Sequence, residues 1–206
     1  IVGDSAHQAL AAVVAERSMT LVKDSLGQVP LGRLNHGARV LSVTYAHRPD
    51  LGAGVTFDAE LRRSFPSLRA EFVSADDAAP DFWRLLAVAD SADVVIVSSY
   101  LTAGSAVANL SAPRGFVEFV EQLVQRGAHP VIVSLGNPYL LQQMTDVPAY
   151  LVSWSGAVVS QRAAARALLG AAPIGGRLPI SIPPVAGVGD GLTRPSLSVS
   201  LSPAVP

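Results

Sequence analysis

Cysteine is absent from the 206 residues, so neither a disulfide framework nor thiolate chemistry is available, and the redox compartment stays open in both directions. No apolar run approaches the ~20 residues a spanning helix needs, and no charged stretch followed by an apolar one opens the chain. These features assign no localisation. Charge is sparse: 15 basic and 16 acidic residues leave a net −1. The basic residues are scattered, without the stripe that neutralises phosphates, so nucleic acid is not expected as a partner. Lys23 is the only lysine, and the preference for arginine reads as compositional bias, not bidentate anion recognition at many sites. His7, His36, His47 and His129 fall at no ligand spacing, so neither a metal nor a cofactor is expected. The chain also lacks an initiator Met and enters a helical pattern within a few residues, which suits a piece of something longer.

What is present is apolar: 50% of the residues are hydrophobic, enough to bury one full core with a short appendage. From residue 38 strand and helix patterns alternate. Continuous apolar runs predict strands at 40–45, 70–73, 94–97, 131–135 and 150–152, with helices at about 57–65, 81–89, 114–126, 138–144 and 158–169. Strands without polar alternation are buried on both faces, which in a βαβ series means a mostly parallel, flavodoxin-like sheet in a three-layer α/β/α sandwich. Asp4 or Ser5 caps a first helix to about Arg17, with Leu10, Val13 and Val14 on one face. Thr56 is a cap for the helix after the first of these strands, Pro80 opens the next, and Asn137-Pro138 opens a later one. "TLVKDSLGQVPL", 20–31, reads as a short extended piece and a turn. "GGRLPISIPP", 175–184, predicts a short C-terminal edge strand bracketed by prolines.

Candidate chemistry is scarce. The loop leaving the strand at 94–97 sits where α/β sheets bind ligands, yet residues 98–112 contain no Asp, Glu, His, Lys, Arg or Cys. "GAG" at 52–54 with Asp76 further on is a poor dinucleotide fingerprint: six residues separate it from Tyr45, and Phe57 takes the third glycine's place. "SWSGAV", 153–158, lacks the G-x-S-x-G of a nucleophile elbow, so its serines shape a turn. "AHRPD", 46–50, is the one ionisable cluster at a strand's carboxyl end, and a salt-bridged loop is its ordinary meaning. His47, Asp50, Tyr100, Asn109, Trp154 and Ser155 are the side chains placed to meet a ligand at that edge, by hydrogen bonding or stacking.

The string "QRAAARALLGAAPIGGRLPISIP", 161–183, resembles the closing motif of the C-terminal α/β/α sandwich domain of glycoside hydrolase family 3. "RSMTLVKDSLGQVPL", 17–31, is similar to that family's entry into the domain, and "VIVSLGNPYLLQQMTDVPAYLVSWSG", 131–156, to its strand-helix-strand core. The resemblance implies retaining hydrolysis of O-glycosyl bonds, with the nucleophilic Asp on a separate N-terminal (β/α)8 barrel. Such a barrel needs ~250 residues of its own, so this chain is expected to lack the nucleophile and, alone, to be inactive. The family's β-glucosidase-like branch draws a Glu acid/base from the sandwich domain; its β-N-acetylglucosaminidase-like branch uses a His on the barrel. The acid-free loop at 98–112 favours the second branch. The implied partners are the barrel of the same parent protein and a carbohydrate at the junction between the two. The expected organisation is an N-terminal helix and linker arm over 1–36, the sandwich over 37–184 and an extended tail over 185–206. A freestanding flavodoxin-like module that binds a nucleotide or a partner protein is the alternative.

Overall fold

The apolar runs at 40–45, 94–97, 131–135 and 150–152 become strands because each has a helix layer on both sides to bury against, whereas 70–73 forms an edge strand with Ala70 and Phe72 exposed. The computed structural model describes residues 4–48, 50–78, 80–102 and 111–197. Its strands are β1 (Thr20–Asp24), β2 (Val40–Ala46), β3 (Arg69–Ser74), β4 (Val94–Ser99), β5 (Val131–Ser134) and β6 (Ala149–Val152). Its helices are α1 (Ser5–Ser18), α2 (Val55–Leu61), α3 (Phe82–Ala89), α4 (Arg114–Gln125) and α5 (Val158–Leu169). The segment Pro138–Gln142, expected as a helix, winds as a 3-10 turn, with the Asn137 side chain accepting from Tyr139 N.

One sheet takes all six strands in the order β1-β6-β5-β4-β2-β3. β1 is antiparallel to β6 and the remaining neighbours are parallel. The alternate residues of each strand sort into two cores. Val40, Val94, Ile96, Val133 and Leu151 meet α2 and α5 through Phe57, Leu61 and the alanines 163–167. Leu41, Val43, Val95, Val97 and Tyr150 meet α3 and α4 on the opposite face. On α4, Phe116, Phe119, Val120 and Leu123 are buried at helical spacing, each worth roughly 1.5–3 kcal/mol of burial. Tyr45 stacks on Phe116 with ring centroids 4.0 Å apart. The α/β/α sandwich is therefore present.

The expected edge strand is not where it was placed. Thr20–Asp24 occupies that edge, while residues 175–184 form no strand and contribute only an isolated bridge, Ile182 to Ala186. Prolines 173, 179, 183 and 184 remove the donors that a ladder would need. Gly176 instead lets this segment cross β1's entry: a Cβ there would lie 2.5 Å from the Met19 carbonyl oxygen. The sheet thus incorporates part of what reads as the N-terminal arm. Residues 185–197 also fold back, Leu192 N donating to Leu21 O at 2.7 Å and Leu197 N to Gly170 O at 2.8 Å. On α1 the apolar stripe of Leu10, Val13 and Val14 is exposed, and Ala15 is the residue it buries. A Glu16–Arg166 pair at 2.8 Å links this helix to α5.

Arg194 holds the returning segment. Its guanidinium pairs with Asp24 at 2.7 Å and donates to Val29 O, while Asp24 also accepts from Gln28 N at 2.8 Å. The Asp24 side chain is fully buried. Breaking one partner of such a pair strands a charge, so Arg194→Met is expected to lower unfolding stability by about 3 kcal/mol in urea titration. The same variant should speed amide exchange over 185–197 while leaving β4 protected.

Candidate functional site

The sheet reverses its winding at β2: the chain passes from β2 to β3 on one side, then to β4 on the other. Such a switch point opens a crevice at the strands' carboxyl ends, the usual ligand position of an open α/β sheet. The loops after β2 and β4 bound it. A single buried amide holds the first of them in place. Gln161, at the start of α5, donates from Nε2 to Gly52 O and Gly156 O, both at 2.9 Å, and accepts from Phe57 N at 3.3 Å. Phe57 is the third residue of α2, so Gln161 supplies the cap expected of Thr56. The residue before the helix is Gly54, at φ 78° and without a capping side chain. A Cβ on Gly54 would sit 2.3 Å from Thr44 Oγ1, which leaves glycine as the residue that fits.

The side chains singled out from the sequence divide by role. His47 Nδ1 lies 2.5 Å from Asp76 Oδ1, and Arg48 N donates to Asp76 Oδ2 at 2.8 Å. The Arg48 guanidinium pairs with Asp77. The His47 hydrogen bond, helped by the Arg48 amide, holds the Asp76 carboxyl below its ordinary range, the state of a structural carboxylate and not of a proton donor. Tyr100 is buried, its ring against Gly156, and burial pushes its phenol well above the usual value. Trp154 turns away from the crevice: its indole N–H donates to Ser18 O at 3.0 Å, joining β6 to the start of β1. Ser155 is exposed and accepts from Ala157 N at 3.1 Å, shaping the turn into α5. Asn109 lies outside the described residues. Among the described residues no three His, Cys, Asp or Glu side chains gather as a metal site, and no helix is long and apolar enough to cross a membrane.

Beside the crevice, between α2 and the outer strand β3, lies a cavity of about 710 Å³. Leu51, Val55 and Phe72 give it an apolar wall, and Asp58 and Arg62 of the α2 segment a polar one. Asp58 is buried, with Oδ1 accepting from Ser42 Oγ at 2.6 Å. Burial raises its carboxyl pKa, partly offset by the Ser42 hydroxyl and the Arg62 charge. The sequence reading missed this cavity. Its signal was an apolar residue, Phe72, placed on a strand with no neighbour beyond it.

With that geometry in view, the comparisons are specific. The model of the glycosyl hydrolase family 3 C-terminal domain matches residues 4–197. The chain belongs to that family. No curated protein matches it. Among solved structures it is similar to a fungal multi-domain GH3 β-N-acetylglucosaminidase with a GCN5-related glucosamine N-acetyltransferase region. That likeness is 26% identity over 90% of this chain and 20% of that one, with a TM-score of 0.69. It is also similar to a family 3 β-N-acetylglucosaminidase from Paenibacillus sp. str. FPU-7, at 16% identity over 84% of this chain and 32% of that one, TM-score 0.68. A β-glucosidase from Listeria innocua gives 19% identity over 88% and 28%, TM-score 0.72. The chain spans between 20% and 32% of those proteins' lengths. The freestanding nucleotide- or partner-binding module is not favoured.

Two measurements check this account of the family 3 domain. Gln161→Ala strips partners from two carbonyls and one amide, and an unsatisfied buried group costs about 1–3 kcal/mol, so a loss of roughly 3 kcal/mol in denaturant titration is expected. Asp58 tests the pH dependence. Its folded pKa lies above the unfolded ~3.9, so the native state binds the proton more tightly. Its contribution is complete below about pH 4 and declines as pH rises through the folded value. Asp58→Asn should therefore flatten the decline in stability that the parent shows as pH rises above about 4.

Proposed function

We propose that this domain belongs to a retaining family 3 β-N-acetylglucosaminidase, packs on a catalytic (β/α)8 barrel of the same parent protein, and shapes access to a carbohydrate at the junction without transferring protons. One observation carries this reading. At the carboxyl edge the ionisable groups are engaged with each other, His47 with Asp76 and Arg48 with Asp77, and residues 98–112 contribute none. Retaining hydrolysis needs two ionisable groups about 5 Å apart across one bond, and among the described residues of this edge Asp50 alone is an acid without an ion-pair partner. The branch assignment is supported by the 26% identity to a β-N-acetylglucosaminidase. Packing against a second domain is supported by the exposed Leu10, Val13 and Val14 on α1, since contiguous exposed apolar side chains mark contact surfaces.

In this reading the described parts of the loops at 46–54 and 98–102 and residues 153–156 face the barrel. His47, Asp50 and Ser155 reach the substrate channel, and Tyr100 and Trp154 position the loops from beneath. Contacts of this kind bind ground state and transition state alike, so their loss raises KM more than it lowers kcat. The test is kinetic. The isolated chain should give no turnover of aryl N-acetyl-β-glucosaminides or aryl β-glucosides, and the parent enzyme should prefer the former. In the parent, His47→Ala and Asp50→Asn should leave kcat within a few-fold. A loss of ~100-fold or more, with one limb of the pH–rate profile gone, would place the acid/base in this domain.

A further inference from the structure

We propose that the cavity between α2 and β3 is a binding site for a neutral, hydroxyl-rich ring, a pyranose, with Phe72 as the platform and Asp58 as the buried hydrogen-bonding group. At about 710 Å³ the cavity falls within the ~300–1,000 Å³ of small-molecule sites, which pair a largely apolar lining with a few convergent polar groups. The two walls differ in the way a sugar ring's faces differ from its edge. Phe72 is 50% exposed, Val55 62% and Leu51 87%, a patch of unburied apolar surface suited to the C–H face of a pyranose. Facing it, Asp58 is buried to 7% exposure. Its Oδ1 accepts from the Ser42 hydroxyl at 2.6 Å, and a carboxyl group fixed in this way on a cavity wall can accept hydrogen bonds from ligand hydroxyls without reorganising.

The lining charges decide the ligand's class. Arg48 pairs with Asp77, and Glu71 with Arg84 and Arg69 at 2.8 Å each. Taken with these partners, the lining sets Arg48, Arg62, Arg69 and Arg84 against Asp50, Asp58, Glu71 and Asp77. A balanced lining selects neither a phosphate nor a polycation, and a neutral polyol satisfies it. This site lies beside β3, away from the β4 loop in which a family acid would be sought, and it does not rest on the catalytic reading above.

The experiment is a ¹H–¹⁵N NMR titration of the 206-residue chain with N-acetylglucosamine, glucose, glucosamine and glucose 6-phosphate. The neutral sugars should give saturable shifts at Leu51, Val55 and Phe72 with Kd of roughly 1–10 mM, and the charged sugars should bind more weakly. Phe72→Ala, a change at an exposed position that preserves the fold, should weaken binding about tenfold. Asp58→Ala should weaken it as well; if that variant unfolds, Val55→Ser at the exposed wall serves the same purpose. Shifts confined to other surfaces, tighter binding of the charged sugars, or an affinity unchanged in Phe72→Ala would overturn the proposal. So would a parent enzyme in which another domain already covers Phe72 and no sugar shifts it. Activity assays are silent here, so failure of this site and failure of the glycosidase assignment are separately visible.

Discussion

One buried amide organises the functional edge. Gln161 contributes three hydrogen bonds to backbone groups of two separate loops, and it does so from the first turn of α5, the Ala-rich helix that packs on both α1 and α2. Because its amide both donates and accepts, no other side chain of that size except Asn matches it, and Asn is one methylene shorter. Fixing Gly52 and Phe57 fixes the start of α2, and that start requires the left-handed Gly54 pressed against Thr44. With α2 so placed, Asp58 reaches Ser42 and the cavity beside β3 acquires its polar wall. Fixing Gly156 sets the surface that covers Tyr100. The geometry of the crevice follows from this contact more directly than from any residue in the crevice itself.

The parts of the fold legible in the sequence are those in which one local signal meets no competitor. β2, β4, β5 and β6 are apolar runs buried on both faces, and α4 carries its core at i, i+3, i+4 and i+7. Asn137-Pro138 opens a helical turn because cap and first residue stand side by side. β1 was harder to read because "TLVKD" alternates weakly and contains Lys23, which reaches Thr145 O at 2.7 Å across the end of β6; its strand character comes from pairing with β6. The closing segment misled in the opposite sense. It has the alternation of a strand, and its prolines together with β1 deny it a place in the sheet. Trp154 and Tyr100 follow β6 and β4 at the same end of the sheet, but periodicity gives no direction to a side chain beyond a strand's last residue. Gln161 was invisible as a cap because the loops it serves lie 109 and 5 residues away.

The distribution of charge tells what kind of surface this is. Ion pairs tie the loops and helices to their neighbours: Arg39 to Asp93, Arg84 to Glu71, Arg126 to Asp90, Arg166 to Glu16. Arg84 and Arg69 hold the Glu71 carboxyl at about 2, and Arg39 holds Asp93 at about 2. Groups held that far from neutrality keep one charge state throughout the range in which acid/base catalysis operates, so they stabilise an arrangement and do not exchange protons. The glutamate and aspartate content is thus largely spent on scaffolding. Apolar exposure is the complementary signal: Leu10, Val13 and Val14 on α1, and Leu51, Val55 and Phe72 beside an ion-paired Glu71.

The motif that identifies the family is itself structural, and this limits what membership says about substrate. Gln161 is a loop tie, Gly176 a close crossing over β1, and Leu178 and Ile182 core residues of the α3–α4 face. None touches the crevice. A sequence can keep every one of these contacts while the side chains at 46–51 change, because Gln161 holds backbone, and the fixed points of that loop, Gly52 and the left-handed Gly54, lie at its base against α2. The similarity in fold to both a β-N-acetylglucosaminidase and a β-glucosidase follows directly: one scaffold accompanies two activities, so what separates them lies in side chains outside the scaffold contacts and not in the sandwich that carries them.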